Sequence, residues 1–210
     1  VEGWKNVTHA VHAKDGLIVA QLWHVGRVSH PDLLNGETPV SASDVKQAGY
    51  VSLLRPKREY VVPRPLEISE IQTIVEQYKQ SAIRAKAAGF DGVELHAADG
   101  YLIDQFLQSS TNQREDSYGG SVENRARFLL EVVDALIEVW GAGRVGVHLA
   151  PRGDEHDMGD ANPKETFGYV MQELGQRHIA FFFTREYIDA ASISLDMKQR
   201  SNGVPYIANM

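Results

Sequence analysis

The side chains best suited to proton chemistry gather in the run Gly92-Val93-Glu94-Leu95-His96-Ala97-Ala98-Asp99-Gly100-Tyr101, where a short apolar stretch passes into His96, Asp99 and Tyr101. An unperturbed tyrosine phenol titrates at about pH 10, so Tyr101 carries its proton at neutrality and suits protonation of a carbon as hydride reaches its neighbour. His96 and Asp99, three residues apart in a turn, can together hold a carbonyl or nitro oxygen if each presents a proton. For Asp99 that means the protonated acid, because a carboxylate repels the charge that develops on such an oxygen. Taken singly, a histidine at a strand end is more often a hydrogen-bonded structural residue, and a tyrosine there more often packs. The grouping is what raises the catalytic reading.

Such residues need a scaffold. Five short apolar runs recur: Leu17 to Trp23, Val93 to His96, Val145 to Leu149, Ile179 to Phe183 and Tyr206 to Ala208. Their length and continuity predict strands buried on both faces, hence a parallel sheet. A helix is expected from Ser69 to Ala88, with Ile71, Ile74, Val75, Tyr78 and Ala82 on one face, a capping box at Ser69-Glu70-Ile71-Gln72 and a stop at Gly89. Further helices are expected from Ser121 to Gly141, from Pro163 to Gly175 and near Ile193 to Arg200, and the chain opens on what reads as helix. Helix and strand alternate, and no G-x-G-x-x-G follows the first strand, which favours a (β/α)8 barrel over a dinucleotide-binding sheet. About five β/α units of such a TIM barrel are present, in a single α/β domain spanning 1–210.

Residues 26–66 lack periodicity and hold five of the eight prolines, which predicts a functional loop over the active face, with Tyr60-Val61-Val62 as a hairpin strand. In parallel α/β folds, ligands bind at the carboxyl ends of strands. Those ends collect Gln21, Trp23 and His24; then His96, Asp99 and Tyr101; then His148, Arg152 and Asp154; then Thr184 and Arg185.

At 210 residues, 43% hydrophobic and 23% charged, the composition is that of a globular domain, and the net charge of −7 with scattered lysines and arginines argues against nucleic acid as a partner. No apolar run approaches the length of a membrane span. The absence of cysteine excludes disulfides and thiolate metal sites and mildly favours a reducing, cytoplasmic compartment.

The Gln21-Leu22-Trp23-His24 strand end, the His96 to Tyr101 turn, the Asn112-Gln113-Arg114 loop and the Tyr118-Gly119-Gly120 helix start, in that order, resemble the old yellow enzyme family. The resemblance implies an FMN-containing (β/α)8 barrel that takes hydride from NAD(P)H onto the flavin and passes it to activated alkenes, nitro compounds or nitrate esters. It implies that Gln21 hydrogen-bonds the flavin ring and that Trp23 shapes the substrate pocket. By the same pattern His96 is one of two donors to the substrate oxygen, and Tyr101 is the proton donor. Two positions depart from it: Asp99 stands where the family has Asn or His as second donor, and His148 where it has an Arg near flavin N1 and O2. It also implies that the family's first two strands and its FMN-phosphate segment lie outside this chain.

Two other readings stay open. One is a metal-dependent barrel hydrolase using His24, His96 and His148 with Asp99. The other is a non-catalytic partial barrel stable only as a homo-oligomer.

Overall fold

The computed structural model describes residues 1–185 and 191–209. Helix α1 (Glu2–His12) leads into strand β1 (Val19–Leu22), and a long connection carries two short strands, β2 (Val40–Ser41) and β3 (Arg64–Pro65). Then follow α2 (Ile68–Ala87), β4 (Gly92–Ala97), α3 (Leu102–Leu107), α4 (Val122–Trp140), β5 (Val145–Leu149), α5 (Pro163–Gln176), β6 (Phe181–Arg185), α6 (Ser194–Arg200) and β7 (Tyr206–Asn209). The strands β1-β4-β5-β6-β7 form one parallel sheet in chain order, as expected for successive units of a (β/α)8 barrel. No helix among the described residues is long and apolar enough to cross a membrane.

Side chains alternate across a strand. Val93 and Leu95 of β4 and Val145, Val147 and Leu149 of β5 are fully buried in the core with α2, α4 and α5, where Ile71, Phe128, Leu136, Phe167 and Leu174 meet them. The residues between them, Glu94, His96, Gly146 and His148, turn to the concave face. Gly146 has a packing reason to lack a side chain: a Cβ there would stand 2.2 Å from the Phe181 ring.

Several expectations are corrected. The sheet is not buried on both faces throughout: β1 alternates exposed and half-buried, and β7 is largely exposed. Inside β4 and β5 every residue but Glu94 is buried. The first strand is shorter than Leu17 to Trp23, which leaves Trp23 and His24 just past its end, and the fourth starts at Phe181 rather than Ile179. The capping box of α2 uses Glu67 with Glu70, not Ser69, because the helix begins one residue earlier, at Ile68. Tyr60-Val61-Val62 is not a strand; the local hairpin closes through the Tyr50–Glu59 bridge. Helix α3 was not expected at all, because all six of its residues are buried and no polar face marks its period.

The connection 26–66 is clamped over the carboxyl ends of the strands. Arg27, almost fully buried, donates to the carbonyl oxygens of Val45 (2.8 Å) and His156 (2.7 Å). Arg114 donates to those of Ala42 (2.9 Å) and Leu66 (2.8 Å). Beneath this loop lies Asp104 of α3, fully buried, accepting from the Gly100 N–H (2.9 Å) and the Gln108 side chain (2.8 Å). Burial pushes its carboxyl up from the ordinary range to about 7. A raised carboxyl pKa makes the folded chain bind more protons than the unfolded one between about pH 4 and pH 7, so this residue's contribution to stability falls as pH rises through that window. Asp104→Asn is expected to remove that decline, and denaturant midpoints for the two proteins between pH 5 and 8 will converge at the acid end and separate at the alkaline end. Parallel curves would mean that Asp104 is ionised in the folded chain.

Candidate active site

The turn after β4 is built on two residues in the left-handed region, Asp99 (φ +54°) and Gly100 (φ +77°). Gly100 has no alternative, since a Cβ there would meet His156 Cβ at 2.7 Å and the Glu155 carbonyl oxygen at 2.9 Å. The turn brings Tyr101 against Trp23, with ring centroids 4.8 Å apart, and against His96 at 5.2 Å; Trp23 and His96 are 6.0 Å apart, edge to face. Trp23 remains about half exposed, so the cluster of three rings reaches solvent on the side of the tryptophan. The phenol of Tyr101 has its pKa raised, first by burial and then by the charge of Asp99 and the neighbouring Tyr60 from the loop. It is therefore protonated throughout the neutral range.

The parallel register sets His96 opposite His148, and their Nδ1 atoms lie 2.9 Å apart. Burial lowers the pKa of both imidazoles, that of His148 to about 4, where nearby His96 and Arg185 add to the effect. At neutral pH two uncharged rings share one proton between these nitrogens. The Nε2 of His96 faces the Asp99 carboxylate at 4.0 Å, which favours a proton on that nitrogen. His148 then donates through Nδ1, and its buried Nε2 is left without a hydrogen-bond partner, as is Oδ1 of Asp99. Arg185 at the end of β6 reaches Asp99 Oδ1 at 3.7 Å and Glu155 at 3.4 Å.

Gln21 lies one layer deeper on the same face, where its amide donates to Glu94 Oε1 at 2.6 Å. Glu94, whose carboxyl pKa is raised by burial, is a site residue that the sequence reading missed; an acid inside an apolar run was the available signal. His156 was also missed: its ring is 5.3 Å from Tyr101, and its Nδ1–H donates to the Asp99 carbonyl at 2.6 Å. The structure takes His24 out of the group. Its Nδ1 accepts from the Gly26 N–H at 3.0 Å, and its carbonyl accepts from Leu102, so it shapes the turn after β1. Thr184 is likewise structural, donating to the Tyr206 hydroxyl at 2.8 Å. Asp154 is exposed at the start of a 3-10 turn.

A barrel-type parallel sheet thus brings a tyrosine, a tryptophan and a histidine together at its carboxyl end, the arrangement that the motifs implied. Residues 1–202 match the family described as NADH:flavin oxidoreductase / NADH oxidase, and the chain belongs to it, in the branch of the old yellow enzymes. A flavin oxidoreductase of Emericella nidulans is 46% identical over 83% of this chain and 45% of its own length. A 12-oxophytodienoate reductase of Oryza sativa is 49% identical over 82% of this chain and 45% of its own length. Among solved structures, the old yellow enzyme homologue from Zymomonas mobilis superposes with a TM-score of 0.94 at 37% identity, covering all of this chain and 61% of that one. Morphinone reductase, solved in complex with tetrahydroNAD, gives a TM-score of 0.91 at 45% identity over 100% and 60% of the two chains. The chain thus spans about half the length of the curated relatives it matches.

Proposed function

We propose that this chain works in an FMN-dependent oxidoreductase that passes hydride from NAD(P)H to small activated alkenes, α,β-unsaturated carbonyl compounds first, with nitro compounds and nitrate esters as further acceptors. Residues 1–210 act as one barrel domain, and 26–66 roofs its active face. The observation that carries the reading is the position of Tyr101, a protonated phenol packed against both Trp23 and His96 at the carboxyl end of the sheet.

The residues present suit a flavin ring. Gln21 is exposed on the concave face with its amide oxygen uncommitted, and the half-exposed Trp23 lies two residues further on, just past the end of β1. His148 offers a buried Nε2 with no protein partner. Gln21 and His148 would hold the ring, and bound FMN would supply the hydride. Trp23 packs against the substrate and fixes its plane. His96 donates from Nε2 to the substrate oxygen, with Asp99 as the second donor when it carries its proton, and so withdraws electrons from the alkene. Tyr101 delivers a proton to the α-carbon, the alkene carbon bonded to the carbonyl carbon.

The test is the visible spectrum of the chain after incubation with FMN and gel filtration. Flavin bands that elute with the protein are the expected result. A colourless protein peak from a folded sample in excess FMN would overturn the reading.

A further inference from the structure

We propose that Glu94 is a positioning residue: it takes the NH2 of the Gln21 amide, turns the amide oxygen to the concave face and so makes this edge of the site an acceptor for a ring N–H. This role rests on the flavin-dependent function proposed above, which gives Glu94 no duty of its own.

The orientation begins in the strands. Gln21 of β1 and Glu94 of β4 are register partners in the parallel sheet, so their side chains leave neighbouring backbones side by side. On the other side the register partner of Glu94 is Gly146, and the space a side chain would fill there holds the Phe181 ring, 2.2 Å from the place of a Cβ. An aromatic ring has no N–H or O–H to give a carboxylate. Glu94 turns instead toward β1, where the amide nitrogen of Gln21 stands 2.6 Å from its Oε1.

An ionised carboxylate only accepts hydrogen bonds, whereas an amide has a donating end and an accepting end. The terminal torsion of glutamine is broad and roughly two-fold, so a partner decides which end points where. Capture of the NH2 by Glu94 leaves the oxygen as the free end of an exposed side chain. The isoalloxazine ring of FMN presents a matching group, an imide N–H between two carbonyls. The pairing is also mutual: burial raises the carboxyl pKa of Glu94, and the bond from Gln21 lowers it again, so the amide favours the charged form that orients it.

Two measurements test the assignment. In flavin-free chain with isotopically labelled glutamine, the side-chain NH2 of Gln21 is identified by NMR through its loss in Gln21→Leu. Its two protons are expected at widely separated shifts, one held by the carboxylate and one not, and Glu94→Leu should bring them together. FMN affinity is then read from flavin fluorescence in the parent, Glu94→Leu, Glu94→Gln, Gln21→Leu and the double variant Gln21→Leu/Glu94→Leu, with thermal melts to establish that each is folded. Both Glu94 variants are expected to bind about tenfold more weakly, the loss that follows when one oriented hydrogen bond goes. The double variant should bind no more weakly than Gln21→Leu, because Glu94 acts only through the amide.

An equal loss from Glu94→Leu with and without Gln21 would make Glu94 a support of the strand and overturn the proposal. Gln21 proton shifts that ignore Glu94→Leu would overturn it as well. A folded parent with no FMN affinity would sink the flavin-dependent function and this role with it, whereas FMN binding with additive variants would sink this role alone.

Discussion

Tyr101→Phe is expected to slow reduction of an enone by roughly 10²- to 10⁴-fold, the usual range for loss of a positioned general acid, while reduction of the bound flavin by NAD(P)H stays within about twofold. The asymmetry follows from position. In the proposed function the phenol meets the substrate; it packs against Trp23 and His96 and takes no part in the Gln21–Glu94 pair one layer deeper. The ring itself packs against Trp23 at 4.8 Å, and phenylalanine keeps that contact, so the fold is preserved. Stopped-flow measurement of the two half-reactions distinguishes the outcomes. Equal slowing of both would assign Tyr101 to the architecture of the pocket and remove it from proton transfer.

The second large effect is on stability. Asp160 has a side chain almost wholly inaccessible to solvent, and it accepts from the Ser109 N–H (2.9 Å), the Asn162 N–H (2.9 Å) and the Thr166 hydroxyl (3.0 Å). It also faces Arg125 at 3.3 Å, a cation that is itself mostly buried and that donates to the carbonyl oxygens of Leu107 and Gly120. Asp160→Ala strands the arginine and three donors at once. Breaking one side of a buried ion pair costs about 3–5 kcal/mol, which for a chain of this size lowers the melting temperature by about 10 °C. Asp160→Asn, which keeps an acceptor oxygen, should lose markedly less. Similar melting temperatures for the alanine variant and the parent would show that water replaces the carboxylate.

The parts of this architecture legible in the residues were those with a period or a cap. Ser121 and Gly141 bracket α4, Pro163 starts α5, and the apolar runs at Val93 and Val145 became adjacent buried strands. What stayed hidden was set by the third dimension. Helix α3 has no polar side, and Glu94 looks like an interruption until the sheet shows it paired with Gln21. His24 could not be separated from His96 and His148 by spacing, because only the turn to Gly26 reveals that its ring nitrogen is already engaged. The motif residues also divide in an unexpected way. Asn112 spends its amide on the Phe106 and Tyr118 carbonyl oxygens, both at 2.7 Å, and Arg114 spends its guanidinium on the roof, so the recognisable loop motif is there for shape and not for chemistry.

The strands of the sheet follow one another in space as they do along the chain. Each new strand therefore closes a loop of only one β/α unit, and because loop-closure entropy grows slowly with length, no step demands a distant partner. Docking of β5 on the edge of β4 is one such step, and the register that buries Val147 beside Leu95 is the one that sets His148 against His96. A one-residue slip of β5 would turn His148 to the opposite face, away from His96. The two imidazoles thus record the accuracy of assembly: their contact reports that this pair of strands has found its alignment.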